Sequence, residues 1–322
     1  MFLSIAVFLT GCGQMTFSKR QGLMMGTFVE IIVAGGTPSQ RDQALEVAFQ
    51  RLRELENKLN YFEAPGEIYR LNQTGYESVQ QVSRETFHIV QTAKDFHNLS
   101  QGAFDVTVYP LMKLWGFFDD ELNIPSVAAI ESVMKQVGSD GILTDEDRSE
   151  IQFLRPGMGI DLGAIGKGFV CDDIVSVLKR EGIMSALVNI GGTVFAFGKS
   201  PQGRLWRVGL RHPRDPSRTW KVVSLDHQAV STSGDYENFF VRDGIRYAHI
   251  LDPRTGYPAR DSIAVSVIAP SAVLADFLST TLFVLGPNDA PDMARQFPET
   301  HWFLTYFDEG NRFKTLSSSD LL

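Results

Sequence analysis

The pattern of apolar and polar positions along this chain changes its period several times, and each period predicts a different element. The run T27-F-V-E-I-I-V-A34 is rich in β-branched residues and ends at two glycines, which predicts a β-strand. After it, Ser39 stands in the position of a helix N-cap, and apolar residues follow at helical spacing as far as Leu59. We therefore expect a strand followed by a long amphipathic helix.

The rest of the first half alternates helical and extended patterns. A loop from about residue 60 to residue 66 precedes a second helix, which begins near Ser83 and ends before Gly102. The segment F104-D-V-T-V-Y109 alternates apolar and polar residues and predicts a strand, and residues 126–137 have the pattern of a third helix. The first half is thus predicted as strand, helix, helix, strand and helix.

From Ile151 onward, short apolar runs separated by turn residues predict a series of strands. Two helices interrupt them, one from about residue 165 to residue 180 and one over 271–285, and a further helix and strand follow. Hairpin-linked strands interspersed with helices indicate an α/β (α+β) fold, a single domain whose mixed, largely antiparallel sheet is packed by helices. The predicted strands are 185–190, 193–197, 205–210, 220–224, 245–251 and 262–269.

Composition and charge are those of a folded protein and exclude some partners. Of 322 residues, 43% are apolar and 21% are charged, which is typical of globular chains. The formal net charge is −8, and no basic cluster opposes it. Nucleic acid and anionic lipid are therefore not expected as the main partners.

The N-terminal segment has the composition of an export signal. Residues 1–12 form an apolar run that is too short to span a bilayer and that ends in L9-T-G-C12, which resembles a bacterial lipobox. No Lys or Arg precedes the run, and a buried N-terminal strand is the alternative. We expect a lipoprotein signal peptide at 1–11, a tether at 12–24 anchored by lipidated Cys12, and the folded domain at 25–322.

The stretch I160-D-L-G-A-I-G-K-G-F169 holds three glycines and a lysine and could be a turn that meets a ligand. It does not fit the Walker phosphate loop, because Asp161 stands where that loop has its first glycine and Gly168 follows the lysine in place of Ser or Thr. The Rossmann spacing fails as well, since Leu162 occupies the place of its third glycine. The segment is either a ligand-binding turn of another kind or a tight strand-to-helix turn.

An acidic residue stands inside the most apolar helix. The segment S271-A-V-L-A-D-F-L-S-T-T-L-F-V-L285 is apolar nearly all round, yet Asp276 lies near its centre, with Thr280 one turn later on the same face. A buried carboxylate without a partner is unfavourable by roughly several kcal/mol, so a partner is expected. Mg²⁺ is one candidate, because it takes oxygen ligands. The alternative is that Asp276 caps a neighbouring loop or pairs with an arginine.

Two further segments combine turn residues with groups that could act on a ligand. In H249-I-L-D-P-R-T-G-Y257, His249 precedes a predicted turn at the end of a strand, where it could be a general base or a structural residue. In V230-S-T-S-G-D-Y-E-N-F-F240, a small-residue turn could hold a ligand by its backbone or be a plain hairpin. No G-x-S-x-G, H-E-x-x-H or C-x-x-C occurs, so serine-nucleophile, zinc and thiol-redox chemistry have no support.

Taken in order, these segments resemble the ApbE family of flavin transferases, the FAD:protein FMN transferases. The match begins at M25-G-T-F, ends at A275-D-F-L-S-T and covers almost the whole predicted mature chain. The resemblance implies a T-fold-like domain of the ApbE type over 25–322. The segments between the two ends are L59-N-Y-F with E67-I-Y-R-L-N72, G102-A-F-D-V-T-V-Y-P-L, L114-W-G-F, I160-D-L-G-A-I-G-K-G-F169, L187-V-N-I-G-G, S231-T-S-G-D-Y and H249-I-L-D-P-R-T-G.

The resemblance also implies a role for each candidate site residue. Mg²⁺ would be held by Asp276 and Thr280, with Ser279 beside them and a main-chain oxygen at Ala164. The catalytic residue would be His249, placed where a base could take the proton of an acceptor hydroxyl. FAD would be bound by residues spread along the chain. These are Met25, Phe62 against the ring system, Ala103, Phe104, Asp105, Asp161 and Lys167.

The reaction implied is the Mg²⁺-dependent transfer of the FMN moiety of FAD to a Thr or Ser hydroxyl of an acceptor protein, with release of AMP. The acceptor implied is a subunit of a membrane redox complex. The lipid on Cys12 would hold the enzyme at the membrane, facing the periplasm. Two alternatives stay open, a Mg²⁺-dependent FAD pyrophosphatase that yields FMN and AMP, and a flavin-binding lipoprotein without catalytic activity.

Overall fold

The computed structural model describes residues 15–61, 63, 65–118 and 122–318 of the chain. Its helices are α1 Pro38–Leu59, α2 Glu67–Thr74, α3 Arg84–Leu99, α4 Tyr109–Trp115, α5 Val127–Met134, α6 Gly166–Arg180 and α7 Ala272–Ala294, with short 3-10 turns at Val106–Val108 and Ser139–Gly141. Its strands are β1 Phe17–Met24, β2 Thr27–Ala34, β3 Gln80–Gln81, β4 Ile142–Asp145, β5 Glu150–Phe153, β6 Ala186–Ile190, β7 Thr193–Phe197, β8 Trp206–His212, β9 Asp215–Leu225, β10 Gln228–Gly234, β11 Phe239–Arg242, β12 Ile245–Ala248, β13 Ala264–Ala269, β14 His301–Phe307 and β15 Phe313–Ser317.

Eight strands form the main sheet, in the order β1-β2-β6-β7-β10-β13-β14-β15. Each neighbouring pair in this sheet is antiparallel. The pairs in the smaller sheets β3-β5-β4, β8-β9 and β11-β12 are antiparallel as well. The expected single-domain α+β fold with a largely antiparallel sheet packed by helices is confirmed.

The two faces of the main sheet are covered by different elements. Helices α1, α6 and α7 pack on one face, and the β8–β9 hairpin covers the other. Because side chains alternate between faces along a strand, Ala229 of β10 joins the core under the helices while Val230 joins the core under the hairpin. Ser231 and Ser233, at alternate positions from Ala229, therefore point toward α7.

Helix α7 consists of two helical segments joined at Gly286. This glycine has φ 70° and ψ −177°, a conformation that interrupts the helix, and Pro287 follows it directly. The expected helix over 271–285 and the expected helix after it are both present, separated at this point. The first segment carries Asp276 and Thr280.

A third apolar cluster joins α4, α5 and the β11–β12 hairpin. Trp115 is fully buried at its centre, and its Nε1 donates a hydrogen bond of 2.9 Å to the carbonyl of Gly256. This bond connects α4 to the D-P-R-T-G turn, which follows His249 by a few residues. The cluster therefore supports one wall of the site described below.

Three features of the region from α1 to α4 differ from the predictions. Residues 104–109 are not a strand, because Asp105 caps the 3-10 turn at Val106–Val108 and Pro110 stands in the first turn of α4. The apolar alternation there reflects a turn buried on more than one side. Helix α2 was not predicted, since its eight residues are too few to show a helical period. Helix α1 is capped by Thr37, with Pro38 in its first turn, rather than by Ser39.

The expected tether at 12–24 is wrong for its second part. Phe17–Met24 form β1, which pairs along its whole length with β2, from Phe17 opposite Ala34 to Met24 opposite Thr27. Alternate side chains of this strand are partly buried against the domain. Residues 17–24 are therefore part of the folded domain and not of a tether. Cys12 and the expected signal peptide lie outside the described residues. None of the helices that the structure describes has both the length and the apolarity needed to cross a membrane.

Candidate active site

A cleft of about 620 Å³ opens where α6 and α7 begin, beside the turn between β6 and β7 and the segment after β12. Residues that are far apart in sequence meet in this cleft, because the antiparallel sheet brings strand ends and helix N-termini to one edge. Nine of the predicted site residues line it, namely Ala103, Phe104, Asp105, Asp161, Ala164, Lys167, His249, Asp276 and Thr280.

Asp276 is buried, with 3% of its surface exposed, and its carboxylate has several partners in the protein. Its Oδ2 accepts a hydrogen bond of 3.0 Å from the backbone N–H of Gly168, at the start of α6. Its Oδ1 accepts bonds from Ser231 Oγ at 2.9 Å and Thr193 Oγ1 at 3.4 Å, and Lys167 Nζ lies 3.9 Å away. Two carboxylate oxygens offer about four acceptor positions, so these contacts leave capacity for a cation.

Thr280 and Ser279 follow Asp276 on α7 but differ in access. Thr280 lines the cleft, and its Oγ1 lies 3.1 Å from Ser233 Oγ. Ser279 is fully buried; its hydroxyl donates to the carbonyl of Asp276 at 3.0 Å and lies 3.0 Å from Ser233 Oγ. Of this pair, Thr280 therefore borders the cleft, whereas Ser279 is buried behind it.

The glycine turn before α6 is held by hydrogen bonds at both ends. Asn72 clamps its start, with Nδ2 donating to the carbonyl of Ile160 at 2.9 Å and Oδ1 accepting from the N–H of Ile160 at 2.7 Å. At the other end, the N–H of Gly163 donates to Asp161 Oδ1 at 2.8 Å, and Lys167 Nζ donates to the carbonyl of Gly163 at 2.7 Å. The turn is thus a fixed part of the cleft wall.

The carbonyl of Ala164 lies just before α6, one residue ahead of the N-cap Ile165. Phe169 donates its N–H to the carbonyl of Ile165 at 3.0 Å, as a regular helix requires. The N–H of Gly168, in the first turn of α6, donates to Asp276. Ala164 lines the cleft ahead of the helical hydrogen bonds, so its carbonyl is suited to accept a donor or a cation from a ligand.

Burial shifts the pKa values of two ionisable groups around the turn in the same direction, upward. Burial raises the pKa of Asp161, and the bond from Gly163 and the charge of Lys167 offset only part of that effect. Burial is also the main cause that raises the pKa of Tyr61, with the charge of Asp161 acting in the same direction. Lys167 is half-buried between the turn and Asp276, so it brings a positive charge close to the Asp276 carboxylate.

His249 is the histidine of the cleft, and its environment keeps it neutral. The pKa of His249 is lowered to about 4, chiefly by burial; the carbonyl of Asn238 acts against this shift, and the charge of Lys167 contributes to it. That carbonyl lies 3.1 Å from Nδ1 and also accepts the backbone N–H of His249 at 3.0 Å. A neutral ring that donates its Nδ1–H to Asn238 has Nε2 as a proton acceptor at neutral pH.

Asp105 lines the cleft, but its carboxylate is bonded within the protein. Oδ1 accepts from Thr107 N at 2.8 Å, Thr107 Oγ1 at 2.6 Å and Ser139 Oγ at 2.7 Å. Oδ2 accepts from Ser139 N at 3.0 Å and lies 2.9 Å from Nδ1 of His97. Burial alone would raise the pKa of Asp105, but the bonds from His97, Thr107 and Ser139 outweigh it and lower that pKa. These bonds fix the segment that carries Ala103 and Phe104.

The other predicted FAD-binding residues have different positions. Ala103 and Phe104 are buried residues of the cleft wall. Met25 is not among the residues that line the cleft; it has a left-handed backbone with φ 55°, and its N–H donates to Glu56 Oε1 at 2.5 Å. Phe62 lies outside the described residues, so its expected contact with the ring system stays a prediction.

The polar residues that contact Asp276 and Thr280 from β10 were not predicted from the sequence. The segment from Val230 to Gly234 was interpreted as a turn, but it belongs to β10. In a strand the serines of V-S-T-S-G alternate, so Ser231 and Ser233 face α7 together. The available signal was the spacing of Ser231 and Ser233, two residues apart, which places both side chains on one face if the segment is a strand.

The fold and this cleft define the protein as an enzyme, since a neutral histidine, a lysine and a set of oxygen donors converge on one pocket. The model of the ApbE family matches residues 25–304. That match covers most of the chain, and the chain therefore belongs to the ApbE family.

Comparison with individual proteins gives the same result. The chain is 31% identical to the FAD:protein FMN transferase of Escherichia coli (strain K12), with 98% of this chain and 94% of the relative covered. The structure is similar to the crystal structure of the ApbE protein of Thermotoga maritima, with a TM-score of 0.85, 31% identity, and coverage of 93% and 96%. It is similar to the apo form of the flavinyl transferase ApbE of Pseudomonas stutzeri, with a TM-score of 0.85, 31% identity, and coverage of 96% and 97%. The enzyme is a transferase.

Proposed function

We propose that this enzyme is an FAD:protein FMN transferase that moves the FMN moiety of FAD to a Thr or Ser hydroxyl of an acceptor protein and releases AMP. In this reaction the phosphoanhydride bond between the two halves of FAD breaks, and a phosphoester bond to the acceptor oxygen forms. The observation that carries the proposal is the cleft in which neutral His249 and the oxygen set of Asp276 and Thr280 meet, in a chain of the ApbE family.

Mg²⁺ is the proposed metal, and the donor chemistry of the cleft fits it. The candidate ligands are the Asp276 carboxylate, the Thr280 hydroxyl and the Ala164 carbonyl, all oxygen donors of the kind that a hard cation prefers. Within the described residues no three His, Cys, Asp or Glu side chains form a cluster that could hold a metal ion, so the proposed site relies on one carboxylate together with hydroxyl and carbonyl oxygens. When bound, Mg²⁺ would neutralise charge on the pyrophosphate and on the leaving AMP.

His249 is the proposed general base. Its Nδ1–H is engaged with the carbonyl of Asn238, which orients the ring, and Nε2 can take the proton of the acceptor hydroxyl as that oxygen attacks phosphorus. Lys167 is proposed to bind the phosphate oxygens, because its Nζ lies in the cleft wall close to Asp276. Asp161 and the backbone of the glycine turn are proposed to bind FAD beside it.

The acceptor and the location of the enzyme also belong to this proposal. The acceptor is proposed to be a subunit of a membrane redox complex, and lipidated Cys12 is proposed to hold the enzyme at the membrane facing the periplasm. The support is the L9-T-G-C12 sequence after an apolar run. Metabolic labelling with a radioactive fatty acid tests the anchor. The label should enter the unaltered full chain and be absent from Cys12→Ala; equal labelling of the two would contradict it.

The test of the activity measures AMP release and covalent flavin on the same samples. The enzyme is incubated with FAD and Mg²⁺, with an acceptor domain that bears the Thr, or with the same domain carrying Ala in its place. AMP that depends on the Thr, in amounts equal to covalent flavin, would support the transferase. AMP and free FMN without acceptor would show a pyrophosphatase instead, and FAD binding with no AMP under any condition would show a flavin carrier.

His249→Asn is the variant that tests the base, because Asn keeps a donor for the Asn238 carbonyl but has no basic nitrogen. Removal of a general base lowers rates by about 10²–10⁴-fold, and we expect a loss in this range. His227→Asn is the matched control. His227 has φ 54°, a conformation that Asn tolerates, and it does not line the cleft. Equal rates for the two variants would contradict the role of His249.

A further inference from the structure

Asp172 is a half-buried acid of α6 that the proposed reaction does not use, and it contacts the first turn of α7. Its Oδ1 accepts a hydrogen bond of 2.8 Å from the N–H of Ala272, and its Oδ2 accepts one of 2.9 Å from the N–H of Val273. These are the first two residues of α7, whose N–H groups have no partner within the helix. Ser271 caps the third, from Leu274, at 3.3 Å. Asp172 therefore completes the cap of α7.

Asp276 makes the reciprocal contact. Ile165, the N-cap residue of α6, provides no side-chain hydrogen bond, and Asp276 accepts the N–H of Gly168, the third residue of α6. Each of the two helices thus supplies a carboxylate that caps the N-terminus of the other. Negative groups are favoured at helix N-termini, and hydrogen bonds to an ionised acceptor are stronger than neutral ones.

The two helix ends lie so close together that residue 168 has to be glycine. A Cβ atom at Gly168 would come within 2.5 Å of the carbonyl oxygen of Ala272, a backbone atom that cannot rotate away. Asp276 and Thr280 follow Ala272 at intervals of four residues, on the same face of α7. The position of the first turn of α7 against α6 therefore determines where these two side chains lie relative to the glycine turn.

We propose that Asp172 is a positioning residue for the metal site. By capping α7 from α6, it holds Asp276 and Thr280 at the separation from the Ala164 carbonyl that Mg²⁺ binding requires. This inference rests on the proposed function, since it assigns Asp172 a role toward the metal proposed there. A cap that only stabilised the fold would contribute to the unfolding temperature and leave the affinity for the ion unchanged.

The test compares Mg²⁺ affinity, measured by calorimetry without FAD, in the unaltered enzyme, Asp172→Asn and Asp173→Asn. The Asn side chain keeps one acceptor oxygen for α7 but turns an NH₂ group toward the second N–H. Residues that orient metal ligands typically change affinity about 10- to 100-fold when mutated, and we expect a loss of this size for Asp172→Asn. Asp173 is the matched control, because it lies next to Asp172 on α6 but its carboxylate pairs with Arg51 at 2.9 Å instead of bonding α7. The affinity of Asp173→Asn for Mg²⁺ should lie within about twofold of that of the unaltered enzyme.

If Asp172→Asn folds and its affinity for Mg²⁺ equals that of Asp173→Asn, the inference is overturned and the proposed function is left intact. If the unaltered enzyme itself binds no Mg²⁺, the proposed metal site fails and the inference fails with it. If Asp172→Asn does not fold, Asp172→Glu replaces it, since Glu keeps the charge and displaces the carboxylate by one methylene. That variant should also bind Mg²⁺ more weakly than the control, and high Mg²⁺ should restore its transferase rate; control-level affinity would overturn the inference.

Discussion

The protonation of His249 gives a measurable link between the site and the stability of the fold. Burial lowers the pKa of this imidazole from the ordinary value of 6.5 to about 4 in the folded protein. Between these two pH values the unfolded chain binds a proton that the folded chain does not, so the free energy of unfolding must fall as the pH falls from 6.5 to 4. The difference of about 2.5 pH units, at about 1.4 kcal/mol per unit, is about 3–4 kcal/mol.

Because the ring is half-buried, screening by solvent reduces this value, and we expect a loss of about 2 kcal/mol between pH 7 and pH 4. The assay is urea denaturation followed by tryptophan fluorescence at closely spaced pH values, on the unaltered enzyme and on His249→Asn. Asn cannot take up the proton, so the difference between the two proteins isolates His249 from the other groups that take up protons on acidification. The unaltered enzyme should lose more stability on acidification than the variant. Identical pH dependences would refute the argument that this histidine is held neutral in the fold.

Three further substitutions have expected outcomes that the structure supports. Asp105→Asn removes a buried charge from its hydrogen-bond network and should lower the free energy of unfolding by about 2–4 kcal/mol; a loss near zero in urea denaturation would show that the charge is not needed. Gly168→Ala brings a Cβ within 2.5 Å of the Ala272 carbonyl oxygen and should cost about 1–3 kcal/mol in the same assay, and an unchanged midpoint would contradict the close contact. Ser231→Ala removes one hydrogen bond to Asp276 and should leave the fold stable to within about 1.5 kcal/mol while weakening Mg²⁺ binding, whereas unchanged affinity by calorimetry would show that this bond does not orient the carboxylate.

The local pattern of apolar and polar residues was sufficient to predict the helices and strands that carry the site. The helix over 271–285 was predicted because it is apolar on nearly every side, and Asp276 stood out as the exception within it. Helix α6 and strands β6, β7 and β13 were predicted close to their observed bounds, since their apolar residues follow one period without interruption. For His249 and Asp276, the residues alone left two interpretations open, and the resemblance to the ApbE family favoured the catalytic role of His249 and the metal-binding role of Asp276.

Local pattern failed where the surroundings of a segment, and not its own period, decide its structure. Residues 104–109 alternate like a strand but form a turn, because Asp105 is held by His97 and Ser139 from other parts of the chain. The segment with Ser231 has the composition of a turn but lies in the middle of the main sheet, paired on both sides. Neither the partner strands nor the distant donors are visible in a window of ten residues.

The amino-acid sequence by itself determined the fold class, the order of most elements, the family and the identity of the chemical groups at the site. These properties depend on the spacing of apolar residues within short segments and on the order of residue types, and both can be read directly from the sequence. Only the tertiary structure decided the partners of those groups, among them the reciprocal caps in which Asp172 bonds α7 and Asp276 bonds α6. Such contacts join residues about a hundred positions apart, and hydrogen bonds and pKa shifts depend on distances that exist only after the sheet and its helices have packed together.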